Sequence, residues 1–148
     1  MKERFETFTV LINKISRNIR KIKNQEMAEY NLKSSHVSCL YYLYVLEGLT
    51  ATDLCEKCGE DKATISRSLD YLEKNEYLFC ESKGVKRYKS PFTLTEKGME
   101  AGRKIADKIA GVLEEVSAGL MEEERIAFYR SLTIISDSLE MISQRKKK

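Results

Sequence analysis

Apolar and polar residues alternate along this chain in two rhythms. Phe5, Phe8, Ile12, Ile15, Ile19 and Ile22 recur at alternating steps of three and four, with charged residues between them. That spacing predicts one long helix over residues 4–30, carrying a single apolar seam for packing against other helices. Residues 31–35 interrupt the pattern, and Ser34 or Ser35 can cap a second helix that runs to about Glu47. This helix is apolar on two sides. Val37, Leu40, Tyr41 and Tyr44 form one stripe; Cys39, Leu43 and Leu46 form another. Such a helix belongs in the middle of a domain, and Gly48 is placed to end it.

From Thr50 onward the elements shorten. Thr50 and Asp53 have capping-box spacing, with Asp where Glu is usual, and the helix they open ends at Gly59. Asp61 caps the next helix, with Ile65, Leu69 and Leu72 on its inner face and Lys62, Arg67, Tyr71 and Lys74 facing out. Asn75 is the expected stop. Two short helices joined by a tight turn, the second carrying Lys62, Thr64, Ser66 and Arg67 near its start, have the layout of a helix-turn-helix. In that motif the second helix lies in the DNA major groove and reads bases mainly with its N-terminal residues.

Behind it, residues 77–80 and 88–94 read as two strands around SKGVK, with Gly84 supplying the turn. Pro91 cannot donate to a ladder and fits an edge strand or a bulge. Lys83, Lys86, Arg87 and Lys89 make this hairpin a basic wing. Thr95 then caps a helix to about Gly119, with Ile105, Ile109, Val112 and Val116 on one face. A last helix spans about Glu122 to Gln144, and Phe128, Leu132, Ile135, Leu139 and Ile142 form a heptad-like stripe on it. These long helices exceed what a small winged module needs, so they are expected to interleave with a second copy. A two-fold dimer sets two recognition helices about one helical turn of DNA, roughly 34 Å, apart.

Composition narrows this picture only slightly. A length of 148 residues suits one domain with a real core, and 42% hydrophobic with 33% charged residues excludes a disordered chain. The net charge of +3 permits nucleic-acid binding without demanding it. Its distribution says more: acidic residues gather at Glu114, Glu115 and Glu122 to Glu124, basic ones in the wing and the terminal RKKK. No apolar run reaches the about 18 residues of a membrane span, and charge keeps interrupting the N-terminal segment. The expected location is therefore the cytoplasm, with no membrane partner.

The segment DLCEKCGEDKATISRSLDYLEKNEYL with its Thr64, Ser66 and Arg67, the basic wing, and Leu94-Thr95 followed by Glu96, Lys97 and Gly98 resemble the MarR family of bacterial transcriptional regulators over nearly the whole chain. The resemblance implies a mainly α fold with a small β wing, one domain over residues 1–148, a winged helix-turn-helix at about 35–95, and dimerisation helices at about 4–30 and 96–144. It implies a homodimer on a pseudo-palindromic operator of double-stranded DNA, often a repressor released by a small, often phenolic, effector or by thiol oxidation. It calls for no catalytic residue, cofactor or metal. The DNA-contacting set would be Lys62, Thr64, Ser66, Arg67, Lys83, Lys86, Arg87 and Lys89. One departure is visible. Family wings carry an Asp two residues before the wing arginine, where this chain has Val85 or Lys86, so phosphate contact is the reading for Arg87.

Other chemistry is sparse. Cys55 and Cys58, spaced i, i+3 on the helix before the recognition helix, suit a thiol switch, an ArsR-like metal-sensing repressor, or simple packing. A thiol enzyme is disfavoured, because no His/Asp set accompanies a nucleophile. His36, with Tyr41 and Tyr42, lies where such regulators line an effector cleft; the alternative is a capping histidine beside core tyrosines.

Overall fold

The computed structural model describes residues 2–82 and 87–145. Its helices and strands run in the order α1 (Lys2–Glu26), α2 (Ser34–Val45), α3 (Ala51–Cys58), α4 (Lys62–Lys74), β1 (Leu78–Cys80), β2 (Phe92–Leu94), α5 (Glu96–Ser117) and α6 (Glu122–Arg145). The fold is mainly α with a small β wing, a winged helix-turn-helix preceded and followed in the sequence by long helices. The chain divides into two compact units, one up to Lys108 and one from Ile109.

In the first unit α2 is central, as its two apolar sides require. It touches α1, α3, α4 and β2. Leu40 of α2, Leu54 of α3, Ile65 and Leu72 of α4, Leu78 of β1 and Ile105 of α5 are fully buried, and Met27 and Leu32 close the core from the end of α1. The antiparallel strands pair Leu78 with Leu94, Phe79 with Thr93 and Cys80 with Phe92. Alternation places Leu78 inside and Phe79 outside.

Local chemistry sets the boundaries. Asp53 Oδ2 accepts the Thr50 N–H at 2.9 Å while Thr50 Oγ1 accepts the Asp53 N–H at 3.2 Å, the reciprocal box that starts α3. Gly59 ends α3 at φ +64°, a left-handed conformation that glycine adopts without a Cβ penalty. Thr95 opens α5, its Oγ1 accepting the Gly98 N–H at 3.1 Å and donating to the Glu76 carbonyl at 2.6 Å. A Cβ on Gly98 would lie 1.9 Å from the Tyr77 carbonyl oxygen. The glycine of LTEKG therefore lets α5 start directly against the chain entering β1.

Several elements differ from expectation. The first helix stops at Glu26, and Ala28–Tyr30 tighten into a 3-10 turn closed by Asn31 at φ +56°. Neither Ser34 nor Ser35 caps α2. Lys33 holds the cap position, its N–H donates to His36 Nδ1 at 3.0 Å, and the Ser34 N–H donates to Asn24 Oδ1 at 2.6 Å. α2 ends at Val45 because Leu46 is already extended, two residues ahead of Gly48. The second strand is short. Arg87–Lys89 form a 3-10 turn, and pairing begins at Phe92, after Pro91. The Gly84 turn, with Lys83 and Lys86, lies outside the described residues.

The second unit holds the end of α5 and all of α6. Glu124 Oε2 accepts the Met121 N–H at 2.9 Å, and the acidic first turn and Arg145 in the last suit the helix dipole. Among the described residues, no residue of α6 is buried: Phe128, Ile135, Leu139 and Ile142 are all exposed. Among the described residues no helix is long and apolar enough to cross a membrane.

Candidate nucleic-acid interface

α4 is held by its buried face and open on the other. Ile65, Leu69 and Leu72 bury, and Ser68 buries with them. Asp61 Oδ1 accepts the Thr64 N–H at 2.7 Å, and bonds from the Thr64 backbone and side chain hold the Asp61 carboxyl below the usual carboxylate range. The cap thus fixes the first turn of α4, where the candidate contacts sit. Lys62 and Arg67 are exposed, Thr64 and Ser66 half-exposed. Arg67 Nη2 reaches Thr64 Oγ1 at 3.4 Å, so these two side chains share one edge of the helix.

The wing side chains divide. Lys89 is exposed. Arg87 is not a lone cation. It forms ion pairs with Asp70, at 3.1 Å, and with Glu73, both on α4. The carboxylate that the wing sequence lacks is supplied from the recognition helix. A small cavity of about 220 Å³ beside this contact is lined by Ala51, Ser66, Leu69, Asp70, Arg87 and Phe92.

Tyr71, expected to face out, is half-buried. Its ring stacks on His36 at 4.2 Å with an 11° interplanar angle, and its hydroxyl donates to the Asn31 carbonyl at 2.7 Å. Burial, and then the Lys33 charge, lower the His36 pKa, so His36 is a neutral acceptor that seats α2 against α4. His36 also lines an open cleft of about 950 Å³ with Asn24, Lys33, Thr64, Arg67 and Tyr71. Tyr41 and Tyr42 do not line it; they meet each other edge to face at 5.2 Å.

All four thiols are free. The partner of Cys58 is Cys39, across the α2–α3 contact, rather than Cys55. The hydrogen bond from Cys39 lowers the Cys58 thiol, and the Lys23 ammonium lowers it further. The same bond, together with burial, raises Cys39. Burial also raises Cys55. Among the described residues no group of three or more His, Cys, Asp or Glu side chains is arranged to hold a metal ion. Sequence reading missed Cys39, Asp70 and Glu73 as participants. The i, i+3 acidic pair on the outer face of α4 was the one available signal for the last two.

A capped helix-turn-helix followed by a β wing defines a winged helix-turn-helix protein, and the comparisons agree. Residues 30–87 match the model of the MarR family. The HTH-type transcriptional regulator YwoH of Bacillus subtilis (strain 168), itself uncharacterized, is 27% identical over 117 residues, covering 79% of this chain and 85% of that protein. Among solved structures, the MepR–DNA complex of S. aureus superposes with a TM-score of 0.78 at 22% identity, covering 89% of this chain and 97% of MepR. Staphylococcus aureus MarR in complex with salicylate and kanamycin gives 0.79 at 18% identity, covering 95% and 94%. Over residues 30–87 the chain is thus similar to the MarR family of transcriptional regulators.

Proposed function

We propose that this protein binds a pseudo-palindromic operator in double-stranded DNA as a homodimer and represses transcription until a small effector releases it. The reading rests on one observation: the capped start of α4 presents Lys62, Thr64, Ser66 and Arg67 together on its open side. In this motif such residues meet base edges and the adjacent phosphates. Lys89, with Lys83 and Lys86 of the same wing, adds phosphate contacts. The whole chain acts as one regulatory domain, with its winged part at about 35–95 and its dimerisation helices at about 4–30 and 96–144. The fold likeness to MepR, solved on DNA, supports the DNA reading, and the likeness to a MarR solved with salicylate supports the effector reading.

The effector cleft of this reading is the one lined by His36, Tyr71 and Arg67. It adjoins the recognition helix, so an occupant there alters the helix that docks. Thiol oxidation is a second route of release, favoured by the Cys39–Cys58 contact.

The test is fluorescence anisotropy on DNA from the region upstream of the protein's own gene, across a salt series. The expected log–log slope is negative, its magnitude shrinking by about 0.9 for each phosphate contact removed. Arg67→Ala should cost about 1–3 kcal/mol and relax base preference. Lys89→Ala should weaken all sequences alike and flatten the slope. Binding without salt dependence sinks the proposal.

A further inference from the structure

Arg87 sits in the wing but spends its charge on the recognition helix. Its Nη2 alone reaches Asp70 Oδ1 at 3.1 Å and pairs with Glu73 Oε2, one nitrogen bridging two carboxylates spaced i, i+3 on α4. Its Cζ lies 5.9 Å over the ring of Phe92, a buried residue of β2. Its backbone is tied as well: the Arg87 carbonyl accepts the Ser90 N–H at 3.3 Å and the Cys80 thiol at 3.8 Å. The side chain thus links β1, β2 and α4 at the base of the wing. The cluster of one cation and two anions carries a net negative charge, which is the wrong sign for a phosphate contact.

We propose that Arg87 is a positioning residue, which clamps the wing onto the recognition helix through Asp70 and Glu73 and makes no DNA contact of its own. It offsets part of the charge of two carboxylates of α4 beside the DNA-facing surface and fixes the height at which Lys89 meets the backbone. The inference deepens the DNA-binding reading and rests on it.

The test is a double-mutant cycle on the full chain, combining Arg87→Ala with Asp70→Asn/Glu73→Gln, each variant first checked for a native circular dichroism spectrum. Arg87→Ala should weaken operator binding about tenfold with no change in salt slope. In the Asp70→Asn/Glu73→Gln background it should cost nothing further, because the clamp is already open. A slope reduced in magnitude by about 0.9, or an undiminished loss in the double-variant background, would each make Arg87 a phosphate contact and overturn the proposal. Amide hydrogen exchange without DNA separates the two readings. Arg87→Ala should speed exchange across Leu78–Cys80 and Phe92–Leu94, and unchanged rates overturn the clamp. If Arg87→Ala speeds exchange yet the wild type shows no salt-dependent DNA binding, the clamp stands and the operator reading falls.

Discussion

At residue scale, two side-chain identities are set by their immediate surroundings. Gly98 faces the Tyr77 carbonyl so closely that any Cβ must displace backbone rather than a pliable side chain. Gly98→Ala should therefore destabilise by about 1–3 kcal/mol, the range of overpacking in a tight site, measured by urea unfolding at constant m-value. An unchanged midpoint would mean that α5 can slide on β1. His36 makes a different kind of demand. It must stay neutral, because its Nδ1 accepts the Lys33 N–H and its ring lies flat on Tyr71. Burial depresses its folded pKa below the ordinary histidine value of about 6.5. A depressed folded pKa means that the unfolded chain takes up the proton first. The His36 contribution is thus complete above about pH 6.5 and is lost as pH falls through the folded value. The melting temperature should drop between pH 7.5 and 5.5, and drop less in His36→Gln, whose amide oxygen can still accept. Parallel pH profiles would assign the acid sensitivity to another group.

At the scale of elements, what could be read in advance was whatever is local. The Thr50–Asp53 box, the Asp61 cap and the inward row Ile65, Leu69 and Leu72 each depend on residues within a few positions of one another, and all stand as read. The end of α1 and the cap of α2 could not be read, because the acceptors are a histidine ring and an asparagine ten residues away. The second strand was overextended for a similar reason. Arg87 looks like strand or wing tip until its two partners on another helix draw it into a 3-10 turn. The capped, open start of α4 was legible from motif position, whereas the thiol pairing was not, since Cys39 and Cys58 meet only when α3 folds onto α2.

That pairing carries its own expectation for the thiol route. Cys58 is the more acidic of the two and half-exposed, so a peroxide should convert its thiolate to a sulfenic acid. The Cys39 sulfur would then displace hydroxide from it, giving a disulfide and water. Peroxide should release DNA from the wild type and from Cys55→Ser, with recovery on adding dithiothreitol. Cys58→Ser and Cys39→Ala should be indifferent to it. Release that depends on Cys55 would move the chemistry to the pair that the sequence alone suggests.

At the scale of the whole molecule, the unresolved matter for a lone chain is its apolar surface. On α1, Leu11, Ile15 and Ile19 are each about half exposed, and on α6 so are Phe128, Leu139 and Ile142, in helices whose heptad spacing is that of a buried seam. Contiguous exposure on this scale is rare in soluble monomers. It is the normal condition of a subunit drawn without its partner, whose interface resembles a core cut in half. A 24-residue helix with no buried side chain has little tertiary support, and isolated helices are marginal in water. The stripe on α6 should therefore be covered by a second copy and the helix stabilised by that contact. Sedimentation equilibrium of the wild type should give twice the chain mass of 17.1 kDa. Leu139→Glu, which places a charge in the stripe, should dissociate the dimer and lower the helical signal in the same concentration range. Because two half-sites must be engaged together, the variant should also lose operator affinity far more than the non-specific affinity that phosphate contacts alone sustain. A wild type that sediments at 17.1 kDa while keeping full helicity would show that the stripes are tolerated in a monomer, and the two-fold operator would then have no structural basis.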